Sequence, residues 1–135
     1  MIRCKLVVCG EVALLDKSTN NSSVVNILQQ MTVGGFPFIV QKLGCLFMLE
    51  RDEEDPATPN TSIQITINDD ELNTIPFAID FEDKLRATAI VRIQGVVLPR
   101  PGTAAVRLLL EGEEAGRWEF EIRQINEPEV EVEQG

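Results

Sequence analysis

Apolar and polar residues alternate one by one along much of this chain. The clearest runs are residues 63–67, 75–79 and 118–122. A period of two is typical of β-strands that turn one face to a core and the other to water. No segment carries a convincing helical stripe. The pattern therefore predicts an all-β fold, an antiparallel β-sandwich of about eight strands that forms a single domain over residues 1–125.

Turn-forming residues divide the alternating runs into strands. The predicted strands cover residues 3–15, 24–33, 39–51, 62–68, 74–81, 85–98, 103–111 and 117–124. The even positions of the first strand, from Ile2 to Leu14, form the row predicted to face the core. A bend is predicted near Gln94 and Gly95, where the alternation of the sixth strand changes register.

One predicted strand, residues 39–51, is apolar on both sides. Its odd positions continue the core, whereas Val40, Leu46 and Met48 point the other way. Such a strand is either central in a sheet or has an exposed adhesive face. We expect these three residues, with Val7 and Cys9, to form a second apolar face that serves as an interface.

The last ten residues, 126–135, differ from the rest of the chain in being strongly acidic. Val130 and Val132 alternate with glutamates as in a strand. Two valines bury too little apolar area to offset the ordering of about eight residues, at roughly 1–2 kcal/mol each. The tail is therefore predicted to be disordered and dispensable for folding.

Charge and cysteine content narrow the partners and the compartment. Twelve basic and 22 acidic residues give a net charge of −10, which disfavours nucleic acid and anionic membranes as partners. No apolar run reaches the ~18 residues of a membrane span, and the short apolar patch after Lys5 is predicted to be part of the first strand and not a signal peptide. Three cysteines argue against a closed disulfide framework and favour a reducing cytoplasm. Cys4 and Cys9 are five residues apart, so on one regular strand they would face opposite sides.

The chain offers little for catalysis, since it contains no histidine. A carboxylate pair of the kind a glycosidase needs is available only in surface turns with few aromatic residues. The same turns hold the weak calcium candidates Asp52, Asp55, Asp69 and Asp70, which would have to converge in space. Cys9 is expected to be a structural cysteine, and no cofactor is implied.

Several short motifs resemble those of a family of small, uncharacterised bacterial all-β proteins. They are Ala13-Leu14-Leu15-Asp16, Val25-Asn26-Ile27-Leu28, Phe36-Pro37-Phe38, Leu98-Pro99-Arg100-Pro101-Gly102 and Leu110-Glu111-Gly112-Glu113. The resemblance covers most of residues 4–125. It implies a β-sandwich fold and no established activity.

Two functional hypotheses follow. The first is a non-catalytic domain that binds a protein partner or assembles with itself, because catalytic residues are missing and some strands are apolar on both faces. The second is a small-molecule-binding protein with a pocket in the sandwich, for which Phe47, Met48 and Trp118 are candidate lining residues.

Overall fold

A computed structural model describes residues 1–125 and 131–135. The described residues form eleven strands: β1 (Arg3–Asp16), β2 (Asn21–Ile27), β3 (Gln30–Val33), β4 (Phe38–Val40), β5 (Leu43–Glu50), β6 (Asn60–Ile67), β7 (Asp70–Ala78), β8 (Arg86–Ile93), β9 (Val96–Leu98), β10 (Gly102–Leu110) and β11 (Glu113–Gln124). No helix occurs among them, which confirms the predicted all-β class. Accordingly, no helix in the described part of the chain is long and apolar enough to span a membrane.

The strands form two main sheets with one core between them. One sheet has the order β2-β1-β5-β8, the other has the order β3-β11-β10-β6-β7, and β4 pairs with β9 in a small third sheet. All pairs are antiparallel except β3 with β11. Alternate residues of the central strands fill the core, as the period-two pattern predicts; they include Cys45, Phe47, Leu49, Ile63, Ile65, Ile67, Val106, Leu108, Phe120 and Ile122.

Three predicted strands are each divided in two, so the prediction of about eight strands was too low. Residues 24–33 supply β2 and β3, which lie in different main sheets. Residues 39–51 supply β4 and β5, and residues 85–98 supply β8 and β9. The predicted bend near Gly95 is the third of these breaks, where a left-handed backbone with φ of 79° suits a glycine.

The predicted core row of β1 is wrong beyond Cys4. A bulge at Lys5 shifts the pairing of β1 with β5 by one residue. Because one inserted residue reverses the alternation, Val7 and Cys9 turn to the core while Leu6 is 41% exposed. The bulge also places Cys4 and Cys9 on the same face of β1, contrary to the spacing argument.

The predicted acidic tail falls only partly within the described residues. Residues 126–130 lie outside them, and residues 131–135 are exposed. Just before the undescribed residues, the Ile125 N–H donates to the carbonyl of Val33. The tail's predicted disorder and dispensability stay predictions.

Arg51 joins the loops at one end of the sandwich. Its side chain is 8% exposed. The guanidinium donates to the carbonyl oxygens of Lys84 and Asp55, each at 2.9 Å, and lies 5.5 Å from the ring centre of Phe81. The buried cation thereby connects the β5–β6 loop to the β7–β8 connection.

Candidate functional site: an apolar β-arm

Residues 11–27 form a β-hairpin, here named the arm, that leaves the plane of its sheet. β1 pairs with β5 only as far as Gly10, and its second half pairs with β2 alone. The arm lies across the outer side of β5 and approaches β8. Towards its tip, Leu15 and Asn20 border the same hollow as Arg86 and Thr88.

A pair of glycines allows the arm to fold back over the sheet. Gly10 and Gly44 are direct cross-strand partners. A Cβ atom on Gly10 would lie 2.7 Å from the carbonyl oxygen of Val25, and one on Gly44 would lie 2.6 Å from the backbone nitrogen of Ala13. These approaches exclude side chains at both positions. The Arg92 guanidinium then holds the arm by donating to the carbonyl of Ala13 at 3.1 Å.

The inward side of the arm closes a small second apolar layer. Ala13 is fully buried and Leu46 is 4% exposed, yet neither belongs to the main core between the sheets. Leu46 lies on the outer side of β5 between its cross-strand partners Val8 and Ile90. The inward side of the arm therefore packs on the outer side of the four-stranded sheet, separately from the main core.

The outward side of the arm is apolar and open to solvent. Leu14, Val25 and Ile27 are 48%, 47% and 51% exposed, and half-buried Val12 is the direct partner of Val25. Exposed apolar residues are common singly. Four neighbours on one two-stranded ribbon form a small apolar patch, and such a patch is a candidate contact surface.

The arm also carries few charged residues. Residues 11–27 contain Glu11, Asp16 and Lys17 as their charged residues, a net charge of −1 in a chain of net charge −10. Asp16 closes the turn: its carboxylate accepts from the hydroxyl and the N–H of Ser18 at 2.7 and 2.9 Å. These two bonds hold the pKa of Asp16 below its usual range.

The structure separates the predicted interface residues. Leu46 and Met48 lie on the outer side of the four-stranded sheet, as expected, but Leu46 is covered. Val40 belongs to β4 and is buried in the main core. Val7 and Cys9 also face that core, so the predicted second face does not contain them.

The calcium candidates lie at opposite ends of β6. Asp52 and Asp55 precede this strand, and Asp69 and Asp70 follow it. The eight residues of β6 separate the pairs by roughly 26 Å, so the four carboxylates do not converge. Within the described ranges, no group of three or more histidine, cysteine, aspartate or glutamate side chains is arranged to hold a metal ion.

Each acidic pair is instead occupied by cations. Asp52 accepts from Arg3 at 3.3 Å, and the Met1 amine lies 2.8 Å from Asp55. At the other end, Asp70 pairs with Arg100, and Asp69 lies 3.6 Å from Arg117. The amine and the Arg3 guanidinium hold the pKa of Asp52 below its usual value.

The aromatic candidates for a ligand pocket have structural roles. Phe47 is fully buried and stacks on Phe77, with ring centres 6.1 Å apart. The indole N–H of Trp118 donates to the carbonyl of Leu28 at 2.7 Å, which ties β11 to the segment between β2 and β3. Cys9 is fully buried in the core.

Sequence reasoning missed the arm. The available signals were a glycine in each of the two strands that pair beneath it and apolar residues at both odd and even positions of residues 12–15. Each signal alone is ambiguous. Together these signals predict a close approach of two backbone segments only if Gly10 is known to pair with Gly44, which is a long-range contact.

The chain belongs to a protein family of unknown function, DUF6941, whose model matches residues 5–123. No match was found among curated proteins.

Solved structures with a similar fold include two from Pseudomonas species. One is the Pseudomonas fluorescens alkylpurine DNA glycosylase AlkC bound to DNA containing an abasic site analog, with 14% identity and a TM-score of 0.56 over 90% of this chain. This chain corresponds to 30% of that protein's length. The other is an immunoglobulin-like protein from Pseudomonas aeruginosa, with 14% identity and a TM-score of 0.47, covering 91% of this chain and 97% of that one.

Proposed function

We propose that this protein is a non-catalytic interaction domain that assembles with a second copy of itself through the outward side of the arm. The observation that carries the proposal is the patch of Val12, Leu14, Val25 and Ile27 on one ribbon face. Two such ribbons packed face to face would form a small apolar layer of the kind found between stacked sheets. The contact would be symmetric, as in most dimers.

The small number of charged side chains on the arm suits an apolar contact. Two chains of net charge −10 repel each other, and a surface with few carboxylates adds little to that repulsion at the point of contact. The arm carries a net charge of −1 over residues 11–27. Nucleic acid is not proposed as a partner, although AlkC was solved with DNA, because this chain's charge opposes phosphate.

The size of the patch sets the expected strength of association. Four partly exposed aliphatic side chains present roughly 250–300 Å² per copy, so burying two patches contributes on the order of 14 kcal/mol before other costs. Association itself costs about 4–15 kcal/mol. Because the two figures nearly cancel, we expect weak association, with a dissociation constant on the order of 100 µM. The small area also places the contact at the low end of interface sizes, where transient interfaces lie.

The experiment compares two isoleucines of similar exposure. Ile27 on the arm is 51% exposed, and Ile39 on the small third sheet is 55% exposed. Sedimentation equilibrium of Ile27→Lys is expected to give a dissociation constant at least about tenfold weaker than wild type, whereas Ile39→Lys should leave it unchanged. Equal effects of the two substitutions, or a wild-type protein that stays monomeric up to about 1 mM, would overturn the proposal.

A small-molecule function is the second candidate, supported by one hollow. The hollow has a volume of about 470 Å³ and lies beside Met31, Phe38, Ile39 and Val40. A thermal-shift screen against metabolites and nucleotides tests it. A ligand that stabilises the monomer strongly, together with no self-association, would favour this candidate over the arm.

A further inference from the structure

Cys9 and Cys45 form a buried thiol pair at the base of the arm. They are direct cross-strand partners, Cys9 in β1 and Cys45 in β5. This pair is next to the Gly10–Gly44 pair along both strands. Both side chains are fully buried, and their Sγ atoms are 3.2 Å apart. In the structure the Cys9 thiol donates to the sulfur of Cys45.

The backbone beneath this pair has a separation that a disulfide can span. Directly opposed residues in antiparallel strands have Cα atoms about 4.5–5.5 Å apart. Disulfides bridge Cα separations of about 4.4–6.8 Å. Bond formation therefore needs rotation of two small side chains and no rearrangement of the sheet. Cys4 lies elsewhere on β1, opposite Leu49, with its sulfur donating to the carbonyl of Leu6.

We propose that Cys9 and Cys45 are a disulfide site, oxidised by a low-molecular-weight disulfide while the chain folds, with Cys4 left as the free thiol. The two thiols lose two electrons and two protons and form one S–S bond. The oxidant's S–S bond breaks and takes up those electrons and protons as two thiols. Thiolate attack proceeds through a mixed disulfide on one cysteine, which the other cysteine then displaces.

The fold determines when this oxidation takes place. The hydrogen bond to Cys45 and burial both raise the pKa of Cys9, so Cys9 forms little thiolate in the native protein. No side of either sulfur is open to a reagent. Oxidation is therefore fast in the unfolded chain and slow once β1 and β5 have paired.

The test refolds the reduced chain in a mixture of oxidised and reduced glutathione, then counts thiols by alkylation, denaturation and intact mass. The expected product has one free thiol, and proteolysis yields a peptide in which Cys9 is joined to Cys45. Native reduced protein given the same mixture should react at least about a hundredfold more slowly. Three free thiols after refolding, or a bond that includes Cys4, would overturn the proposal.

Two variants and one stability measurement complete the test. Cys4→Ser should refold with no free thiol, and Cys45→Ala should keep both of its remaining thiols. If Cys45→Ala does not fold, the mapped wild-type bond decides alone. The disulfide closes a 36-residue separation, so the oxidised protein should melt roughly 10 °C higher than the reduced one. An unchanged or lower melting temperature would mean that the sheet does not accommodate the bond.

Discussion

Replacing Arg51 with methionine should remove a large part of the protein's stability. Arg51 is almost fully buried and donates hydrogen bonds of 2.9 Å to the carbonyls of Asp55 and Lys84. A hydrogen bond from a charged donor contributes about 1.5–3 kcal/mol. Both carbonyls belong to loops that water can reach once Arg51 is replaced, so each lost hydrogen bond is expected to cost the lower value of about 1.5 kcal/mol. The two bonds together then account for a loss of about 3 kcal/mol in the free energy of unfolding.

The ring contact adds to this loss. The guanidinium lies 5.5 Å from the centre of the Phe81 ring, and such a contact contributes about 0.5–1 kcal/mol. The total of about 3–4 kcal/mol is a large share of the 5–15 kcal/mol typical of a domain. Methionine keeps most of the apolar stem, so the loss reports the charged group and not the packing.

Urea unfolding followed by circular dichroism measures the effect. Arg51→Met should lower the free energy of unfolding by about 3–4 kcal/mol with an unchanged m-value. Arg51→Lys should lose about half as much, since an ammonium cannot span both carbonyls. Arg86→Met, at an exposed arginine, is the matched control and should stay within about 0.5 kcal/mol of wild type. A loss below about 1 kcal/mol for Arg51→Met would refute the role assigned to this residue.

Three further predictions concern single contacts. Gly44→Ala should lower the free energy of unfolding by about 1–3 kcal/mol because the arm backbone must move. Gly34 has open space around it, so Gly34→Ala should cause no such loss. Urea unfolding midpoints of the two variants test this difference. Glu114 lies 2.6 Å from Arg107, and this arginine is the main cause of the lowered pKa of Glu114. The stabilisation by this pair is therefore present above the ordinary glutamate pKa of about 4.3 and is lost as pH falls through the lower pKa of the folded state. The urea midpoint of Glu114→Gln should therefore fall less on acidification than that of the wild type. Midpoints that fall in parallel with pH would contradict this. Trp118→Phe removes a 2.7 Å hydrogen bond to a backbone carbonyl and should lower stability by about 1 kcal/mol in thermal unfolding; an unchanged melting temperature would contradict it.

The sequence predicted the central strands well. In β6, β10 and β11 the inward positions are apolar and most outward positions are polar or charged, so the period of two is visible without any other information. Each of these strands pairs on both edges and covers the core with one face. Where the sheet is regular, the local pattern is sufficient.

The prediction from sequence was wrong where a local irregularity changes which face the following residues occupy or which strands pair. The bulge at Lys5 reverses the faces of β1, yet Lys5 itself fits the expected polar position. The strands β4 and β9 are three residues each and exist only because they pair with one another, as Ile39 does with Val97. The arm likewise depends on Gly10 meeting Gly44 across 34 positions of sequence. Local periodicity carries no information about these long-range pairings.

The most direct test of the arm as a contact surface is a dilution series of amide spectra by nuclear magnetic resonance. Between about 1 mM and about 20 µM, a range that spans the expected dissociation constant, shifts should be confined to residues 11–27 and the sheet positions beside them. The amide chemical shifts of β6, β7 and β10 in the other sheet should not change with concentration. Shifts centred on those strands, or spectra that do not change with concentration, would contradict self-assembly through the arm.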